Sequence, residues 1–225
     1  MNANASTSRS AEIPLILAAI ELFGRDGYAA VSTRALCEHA GTNVSSIKYH
    51  FGGKQELYRA AIVYVTEQVK PRIEFAMSAL AQARTLAGDD RALQARLIKQ
   101  LIDNLLSFFL GSEDIPHFMP LVMREFLIPG PYFEIFYEAL PRRLHELLSE
   151  LVSMVEGSDP HDETTILRAH ALMGQIMIFH VARPVLFARM NWDSYTPERI
   201  DNITHQVQQL VLNALQLTDP DVESS

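Results

Sequence analysis

Apolar residues recur at intervals of three and four positions along most of the chain, which is the period of an amphipathic helix. One such face runs from Ile16 to Phe23, two residues after a proline that suits a first helical turn. Long runs of alternating apolar and polar residues, which are typical of strands, are absent. We therefore predict an all-α fold.

The first predicted helices are short. The first runs from Pro14 to Arg25, the second covers 33–40 behind an N-cap at Ser32, and the third begins behind an N-cap at Asn43 and ends near residue 51. Glycines follow each of the three, as is typical of helix ends. Three short helices in about forty residues predict a compact N-terminal head.

Longer helices are predicted after the head. Pro71 should bend or break its helix, and Pro141 and Pro184 should each kink or divide theirs. The predicted ranges are 54–82, 89–110, 115–128, 131–155, 162–190 and 197–217. We also expect frayed structure over the first ten residues and the tail. The predicted organisation is a head at 1–57, a larger helical domain at 58–218 and a disordered tail at 219–225.

The segment from Val31 to Phe51 carries the most specific pattern, because two short helices joined by a glycine-containing turn predict a helix-turn-helix. At about 100° per residue, Val44, Ile47 and Phe51 fall on one side of the second helix and should face the core. The opposite side and its flanks then carry small hydroxyls, a tyrosine and cations, a composition suited to DNA rather than to a core. These residues are Ser45, Ser46, Lys48, Tyr49 and His50.

The formal net charge of −8 argues against a nucleic-acid partner only if charge is averaged over the whole chain. The first 60 residues contain six Lys or Arg and five Asp or Glu, a net charge of +1, which leaves −9 on the rest. Phosphates respond to nearby charges, since salt screens distant ones. A near-neutral head on an acidic body is therefore compatible with DNA binding by the head.

The head resembles the TetR family of bacterial transcriptional regulators. The resemblance is carried by Ala18-Ala-Ile-Glu-Leu-Phe23, Gly27-Tyr28, Ser32-Thr-Arg-Ala-Leu36, Ala40-Gly41 and Ser46-Ile-Lys-Tyr-His-Phe-Gly-Gly-Lys-Gln-Glu-Leu57. More loosely, Arg124-Glu-Phe-Leu-Ile-Pro-Gly-Pro131 and Asn191-Trp192 resemble the subgroup with a CerR-type C-terminal effector domain. The resemblance implies an N-terminal three-helix head that binds DNA, followed by a helical domain for effector binding and dimerisation.

The family pattern assigns DNA-contact roles position by position. It implies phosphate or base contacts from the second helix, base contacts from the third, and a phosphate contact from the lysine that opens the fourth. The candidate DNA-binding residues are Thr33, Arg34, Asn43, Val44, Ser45, Ser46, Lys48, Tyr49, His50 and Lys54.

Aromatic and methionine side chains are frequent in the long helices. Such side chains usually form an ordinary core, but methionine also repacks around irregular apolar ligands, and a cavity between helices is a common small-molecule site. We predict that part of this set lines an effector pocket, with a glutamine and a histidine as polar groups. The candidates are Phe109, Met119, Met123, Phe126, Phe133, Met173, Gln175, Met177 and His180.

No metal, cofactor or enzymatic activity is predicted, because the eight histidines and the lone Cys37 lack metal-ligand spacing and no catalytic motif is present. The single cysteine and an N-terminus unlike a signal peptide favour the cytoplasm. No apolar stretch approaches the roughly 20 residues of a membrane span, so no membrane partner is expected.

We therefore expect a regulator, most simply a repressor, that binds a palindromic double-stranded DNA operator and is released by a small apolar or amphipathic effector. Two heads are needed to read enough bases, so we expect a homodimer, formed through helices 162–190 and 197–217. The alternatives are a helical protein-interaction module and a regulator without small-molecule control.

Overall fold

The computed structural model describes residues 3–112 and 115–220, and within them every regular element is a helix. The all-α prediction is confirmed. The helices are α1 (Ala3–Asp26), α2 (Thr33–His39), α3 (Ser45–Phe51), α4 (Lys54–Ala87), α5 (Arg91–Gly111), α6 (Ile115–Leu127), α7 (Phe133–Ala139), α8 (Pro141–Glu156), α9 (Glu163–Val181), α10 (Arg183–Met190) and α11 (Pro197–Ala214).

Pro71, Pro141 and Pro184 affect their helices in two different ways. Pro141 and Pro184 divide long apolar patterns as predicted, since the chain breaks at Leu140 before α8 and at Ala182 before α10. Pro71 does not break its helix, because α4 continues through it from Lys54 to Ala87. A proline removes a single N–H donor from the helix, and a long helix can lose one hydrogen bond and continue.

Two expectations about the chain ends are wrong. Helix α1 begins at Ala3, so Pro14 lies inside it rather than in its first turn. At the other end, Asp219 is 8% exposed and its Oδ1 lies 2.8 Å from the Nζ of Lys99. This buried ion pair holds the first tail residue against α5, because an unpaired buried carboxylate would be costly. The predicted disorder of residues 221–225 lies outside the described residues.

Two compact units emerge from the packing, and their division differs from the boundary expected at residue 57. Unit 1 comprises Met1–Lys70 and Glu113–Leu140, and unit 2 comprises Pro71–Ser112 and Pro141–Ser225. The chain therefore passes between units at three points rather than along α4 alone. The functional boundaries of 1–57 and 58–218 stay a prediction.

Unit 1 consists of the head, the first half of α4, and α6 with α7. Helix α1 packs mainly against α6 and, less extensively, against α2. Its buried face contains Leu15, Ala19, Ile20 and Phe23, each no more than 2% exposed. Apolar burial of this kind is the main source of the unit's stability.

Unit 2 is a bundle in which α8 packs against α9 and α5 packs against α11. Its core is formed by aliphatic side chains that are almost fully buried, including Ile98, Leu106, Leu147, Val152, Ala169 and Val207. Arg91 closes one end of the bundle, because its guanidinium group donates to the carbonyl oxygens of Val155 (3.2 Å) and Gln216 (2.7 Å).

Among the described residues, no single helix has the length and apolar character needed to cross a membrane. Helices α9 and α10 meet that requirement only when taken together, and they are bent by 63° at the break between them.

Candidate nucleic-acid interface

Helix α2 forms as the sequence predicts. The hydroxyl of Ser32 caps it by accepting a hydrogen bond from the Ala35 N–H at 3.1 Å. Leu36 and Cys37 are 0% and 1% exposed, so this face of α2 belongs to the core of the head. Arg34 is exposed and Thr33 half-buried, which leaves the start of the helix open to solvent.

The start of α3 differs from the prediction. Asn43 does not cap the helix with its side chain, and Val44 occupies the N-cap position in a helical backbone conformation. The Oδ1 of Asn43 instead accepts hydrogen bonds from the hydroxyls of Ser45 and Ser46. Asn43 therefore orients the hydroxyls of both serines.

The outward face of α3 is strongly exposed. Tyr49 is 84% exposed, Ser45 and Lys48 are also exposed, and Ile47 on the opposite side is 2% exposed. Val44 was expected to face the core with Ile47 but is 54% exposed. The helical wheel does not apply to it, because Val44 precedes the first residue of the helix.

Two of the candidates on α3 are only half exposed. Ser46 is half-buried, and so is His50, whose Nδ1 lies 3.8 Å from the Oε1 of Glu12 in α1. The rings of His50 and Tyr49 meet edge to face with centroids 4.9 Å apart. His50 thus supports Tyr49 and α1, and is less open to solvent than the sequence suggests.

Lys54 opens α4, as the family pattern implies. Its Nζ lies 4.4 Å from the centroid of the Tyr28 ring, a distance typical of a cation–π contact. Partial burial lowers the pKa of Lys54 below its ordinary value of 10.5. The ammonium group is therefore held in one place by an aromatic ring rather than extending freely into solvent.

Sequence reasoning missed a buried polar cluster that contacts the first turn of α4. Glu125 in α6 is fully buried; its Oε1 accepts from the hydroxyl of Tyr58, and its Oε2 accepts from the Gly130 N–H at 3.1 Å. The Tyr132 hydroxyl donates to the Oε1 of Glu56 at 3.0 Å. The only signal in the sequence is an acidic residue on the apolar face of α6.

Tyr58 connects this cluster to the aromatic core of the head. Its ring meets Phe23 at 5.0 Å and Tyr28 at 5.2 Å between centroids, both edge to face. Burial, and then the hydrogen bond to Glu125, raise the pKa of the Tyr58 hydroxyl far above its ordinary value. The hydroxyl therefore stays protonated and remains a donor to Glu125.

The predicted effector-binding residues fall in both compact units. Those in unit 1 are Met119, Met123, Phe126 and Phe133, and those in unit 2 are Phe109, Met173, Gln175, Met177 and His180. Phe126 meets Phe136 edge to face at 5.3 Å within unit 1, and Phe133 lies near the same ring. These contacts by themselves are those of an ordinary aromatic core.

Two polar candidates, Gln175 and His180, lie half-buried in α9. The Oε1 of Gln175 is buried and has no hydrogen-bond partner among the described residues. Burial lowers the pKa of His180, and the nearby positive charge of Arg183 adds to the effect. Gln175 thus offers an unused acceptor and His180 a neutral ring at neutral pH.

In the part of the chain that the structure describes, no three His, Cys, Asp or Glu side chains come together as a metal site would need. A cavity of about 640 Å³ lies between α1, α4 and α6. Leu17, Tyr64 and Phe118 are among its lining residues.

An exposed second helix of a helix-turn-helix, followed by a helical C-terminal part, is the architecture of a helix-turn-helix DNA-binding protein. Two family models match this chain: "Bacterial regulatory proteins, tetR family" over residues 15–61, and "HTH-type transcriptional dual regulator CecR, C-terminal domain" over residues 94–216. The chain belongs to the TetR family of transcriptional regulators, and its C-terminal domain, predicted to be CerR-type, is of the CecR type. Proteins of this family bind DNA and are not enzymes.

Individual relatives agree with this assignment. The HTH-type transcriptional dual regulator CecR of Shigella flexneri is 31% identical over 197 residues, which are 86% of each chain. Two solved structures share the fold at lower identity. HlyIIR, a hemolysin II transcriptional regulator, has a TM-score of 0.58 at 14% identity and covers 88% of this chain and 97% of its own. AmtR of Mycobacterium smegmatis has a TM-score of 0.51 at 17% identity, covering 87% and 83%.

Proposed function

We propose that this protein is a ligand-responsive repressor that binds a palindromic operator as a homodimer and dissociates when a small apolar or amphipathic effector binds. The observation that carries the proposal is the outward face of α3, where Tyr49 is 84% exposed beside Ser45 and Lys48 while Ile47 is buried. A tyrosine ring this exposed buries little apolar area on folding, and its hydroxyl can reach a phosphate oxygen.

The roles of the candidate residues follow from their exposure. Ser45 and Ser46 are small donors and acceptors that allow α3 to approach base edges closely, and Asn43 orients both hydroxyls. Lys48 and Tyr49 are exposed and suit phosphate contacts that set register without reading sequence, and the exposed Arg34 suits a contact with a base as well as with phosphate. Thr33, Val44, His50 and Lys54 complete the proposed contact set.

Dimerisation is part of the proposal because α3 has only seven residues and can read few base pairs. Two heads on a palindrome would occupy successive major grooves roughly 34–36 Å apart, or a multiple of that distance. Helices α9 and α10 support this, since they expose a series of large apolar side chains within unit 2. They are Ile166, Leu167, Ile178, Val181, Val185 and Met190, between 40% and 71% exposed. Helix α11 adds Leu210, which is 57% exposed.

The effector site is proposed among the predicted aromatic and methionine residues. The unused Oε1 of Gln175 supports this, because a buried acceptor without a partner is destabilising unless a ligand or water donates to it. Met177 lies two residues further along α9, and Met173 is buried in the same helix. A mainly apolar wall with one or two polar groups suits an apolar or amphipathic molecule.

Pro71 is proposed as a hinge in α4. It lies at the point where α4 passes from unit 1 into unit 2, and its nitrogen cannot donate to the carbonyl of residue 67. A missing hydrogen bond at this boundary lowers the cost of bending there, so a small change in unit 2 could shift the head.

The relative from Shigella flexneri is an HTH-type transcriptional dual regulator. We propose repression for this chain where its operator overlaps a promoter, since a bound dimer then competes with polymerase. In vitro transcription from its own upstream region, with and without the protein, tests the sign of the effect.

The test of the whole proposal is a gel shift with the DNA upstream of its own gene at two salt concentrations, with a scrambled duplex of equal length as control. Specific binding that weakens steeply with salt is the expected result, because neutralised phosphates release counterions. A panel of apolar and amphipathic small molecules is then screened for release. If the protein binds its DNA specifically and no molecule in the panel releases it, the alternative of a regulator without small-molecule control is favoured.

A further inference from the structure

Glu125 is a buried charged residue that the proposed contacts with DNA and effector leave unexplained. It is 0% exposed, and a buried carboxylate costs free energy unless hydrogen bonds compensate it. Both oxygens are used here: Tyr58 donates to Oε1, and the Gly130 N–H donates to Oε2 at 3.1 Å. An apolar residue would fill the position without that cost, so the carboxylate has a positional role.

Gly130 allows this arrangement because it lacks a side chain. A β-carbon at Gly130 would lie 2.6 Å from the Oε1 of Glu125 and 2.9 Å from the hydroxyl oxygen of Tyr58. The α6–α7 connection therefore approaches the Glu125–Tyr58 pair closely, between two prolines that restrict its backbone. The string Arg124-Glu-Phe-Leu-Ile-Pro-Gly-Pro131 thus has a physical explanation as a tight connection built around one carboxylate.

The same connection holds the first turn of α4 at a second point. Tyr132 donates to Glu56, and Tyr58 donates to Glu125, so two hydrogen bonds join residues 125–132 to residues 56–58. Lys54 lies one turn before Tyr58 on the same helix. Its ammonium group rests on the ring of Tyr28, which in turn packs against the ring of Tyr58.

We propose that Glu125 is a positioning residue for DNA binding: through Tyr58 and the first turn of α4 it sets the position of the Lys54 ammonium group against the DNA backbone. Glu125 itself touches no DNA. Lys54 is a cation on a flexible stem, and a fixed position reduces the conformational entropy that it loses on binding phosphate. The proposal rests on the proposed role of Lys54 as a phosphate contact.

The experiment measures binding of the full-length protein to a fluorescein-labelled duplex of its own upstream DNA by anisotropy, across several salt concentrations. Glu125→Gln keeps the volume but removes one acceptor, and Tyr58→Phe removes one donor while keeping the aromatic ring. Each is expected to weaken binding about two- to tenfold, the effect of one hydrogen bond. The slope of log affinity against log salt concentration should also become shallower, by the equivalent of less than one released ion, because the Lys54 contact is weakened rather than lost.

The decisive measurement repeats both variants in two backgrounds, Lys54→Met and the control Lys48→Met. If Glu125 acts through Lys54, its substitution has no further effect on affinity once Lys54 is methionine, and keeps its full effect in the Lys48→Met protein, because Lys48 lies on α3. Equal effects in the two backgrounds would overturn the proposal, since a general loss of stability would weaken binding regardless of which lysine is present.

Tyr132→Phe provides a variant that removes only a half-buried hydroxyl, in case Glu125→Gln does not fold. It should show the same dependence on Lys54 with a smaller effect. A Lys54→Met protein with unchanged affinity would overturn both this inference and the DNA-contact role of Lys54. A Lys54→Met protein that binds weakly while Glu125→Gln and Tyr58→Phe bind normally would overturn this inference alone.

Discussion

Gly24 of α1 lies directly against the backbone of Leu121 in α6. A β-carbon at Gly24 would stand 2.7 Å from the amide nitrogen of Leu121 and 2.9 Å from the Cβ of Pro120. Neither atom can move away as a flexible side chain could, because both belong to a helical backbone or a proline ring. The first helix of the head and α6 are therefore packed as tightly as their backbones allow, and residues 113–140 belong to the same compact unit as the head.

This contact predicts the effect of Gly24→Ala. The added methyl group must push α1 and α6 apart, and overpacking of this kind costs about 1–3 kcal/mol, more than the helix propensity gained from alanine. Urea unfolding of the whole chain measures the change. Gly53→Ala is the matched control, since nothing lies within 4 Å of a β-carbon there. Equal unfolding free energies for the two variants would show that the close approach is not real.

The DNA contacts divide into two classes with different expected behaviour. Tyr49→Ala and Lys54→Ala should weaken binding to every sequence, and Lys54→Ala should reduce the salt slope by about one ion, because both side chains contact phosphate. Ser46→Ala and Arg34→Ala should also alter base preference, with changes of about 1–3 kcal/mol at single base pairs. Selection of bound sequences from a randomised duplex pool distinguishes the two classes. A salt slope that Lys54→Ala leaves unchanged would contradict the docking arrangement.

The limits of sequence reasoning are visible in particular residues. The periodicity of apolar residues and the capping residues were enough to predict that the helices form. Ser32, Pro141 and Pro184 act as predicted. Val44 was wrongly assigned to the buried face of α3, because a helical wheel applies only to residues inside the helix and Val44 precedes its first residue. The apolar pattern of α6 shows which face of the helix is buried but not that this face packs against α1, since the two helices are about one hundred residues apart in the sequence. The Glu125–Tyr58 hydrogen bond was missed for the same reason.

The proposed dimer predicts that one charge on the exposed face of α9 and α10 disrupts association. Ile178→Glu and Val185→Glu should give folded monomers in sedimentation at micromolar concentration, because each would place an unpaired carboxylate in the interface. Leu86→Glu is the control, since Leu86 in α4 is 79% exposed and outside the proposed interface. A wild-type protein that is monomeric under the same conditions would refute the dimer, as would charged variants that remain dimeric.

The His145–His170 pair predicts how stability changes with pH. The Nε2 of His145 lies 2.8 Å from the Nδ1 of His170, and burial, followed by the neighbouring imidazole, lowers the pKa of His145. The folded protein therefore disfavours a proton that the unfolded chain accepts below about pH 6.5. The stabilisation is fully present above that pH and is lost as pH falls towards the lower folded pKa.

The unfolding free energy should thus decrease as the pH falls below about 6.5, by at most about 1.4 kcal/mol per pH unit for each proton involved. His145→Asn cannot titrate and should show a smaller decrease across this range. Urea unfolding at several pH values provides the comparison, and His161→Asn, in the exposed α8–α9 connection, is the control. A His145→Asn protein with the wild-type pH profile would assign the acid sensitivity to other groups.

The effector response predicts the behaviour of two variants in different units. An effector releases DNA only if it binds better to the conformation with mis-spaced heads, because equal affinity for both states shifts nothing. Met177→Glu in unit 2 and Phe126→Glu in unit 1 each place a carboxylate among the proposed apolar contacts. The variant whose residue lines the pocket should keep operator affinity and lose effector-induced release, measured by anisotropy with a molecule that releases the wild-type protein. Leu86→Glu should still respond. If only one of the two variants fails to respond, the pocket belongs to that unit; if both respond normally, the effector binds elsewhere and the assignment is wrong.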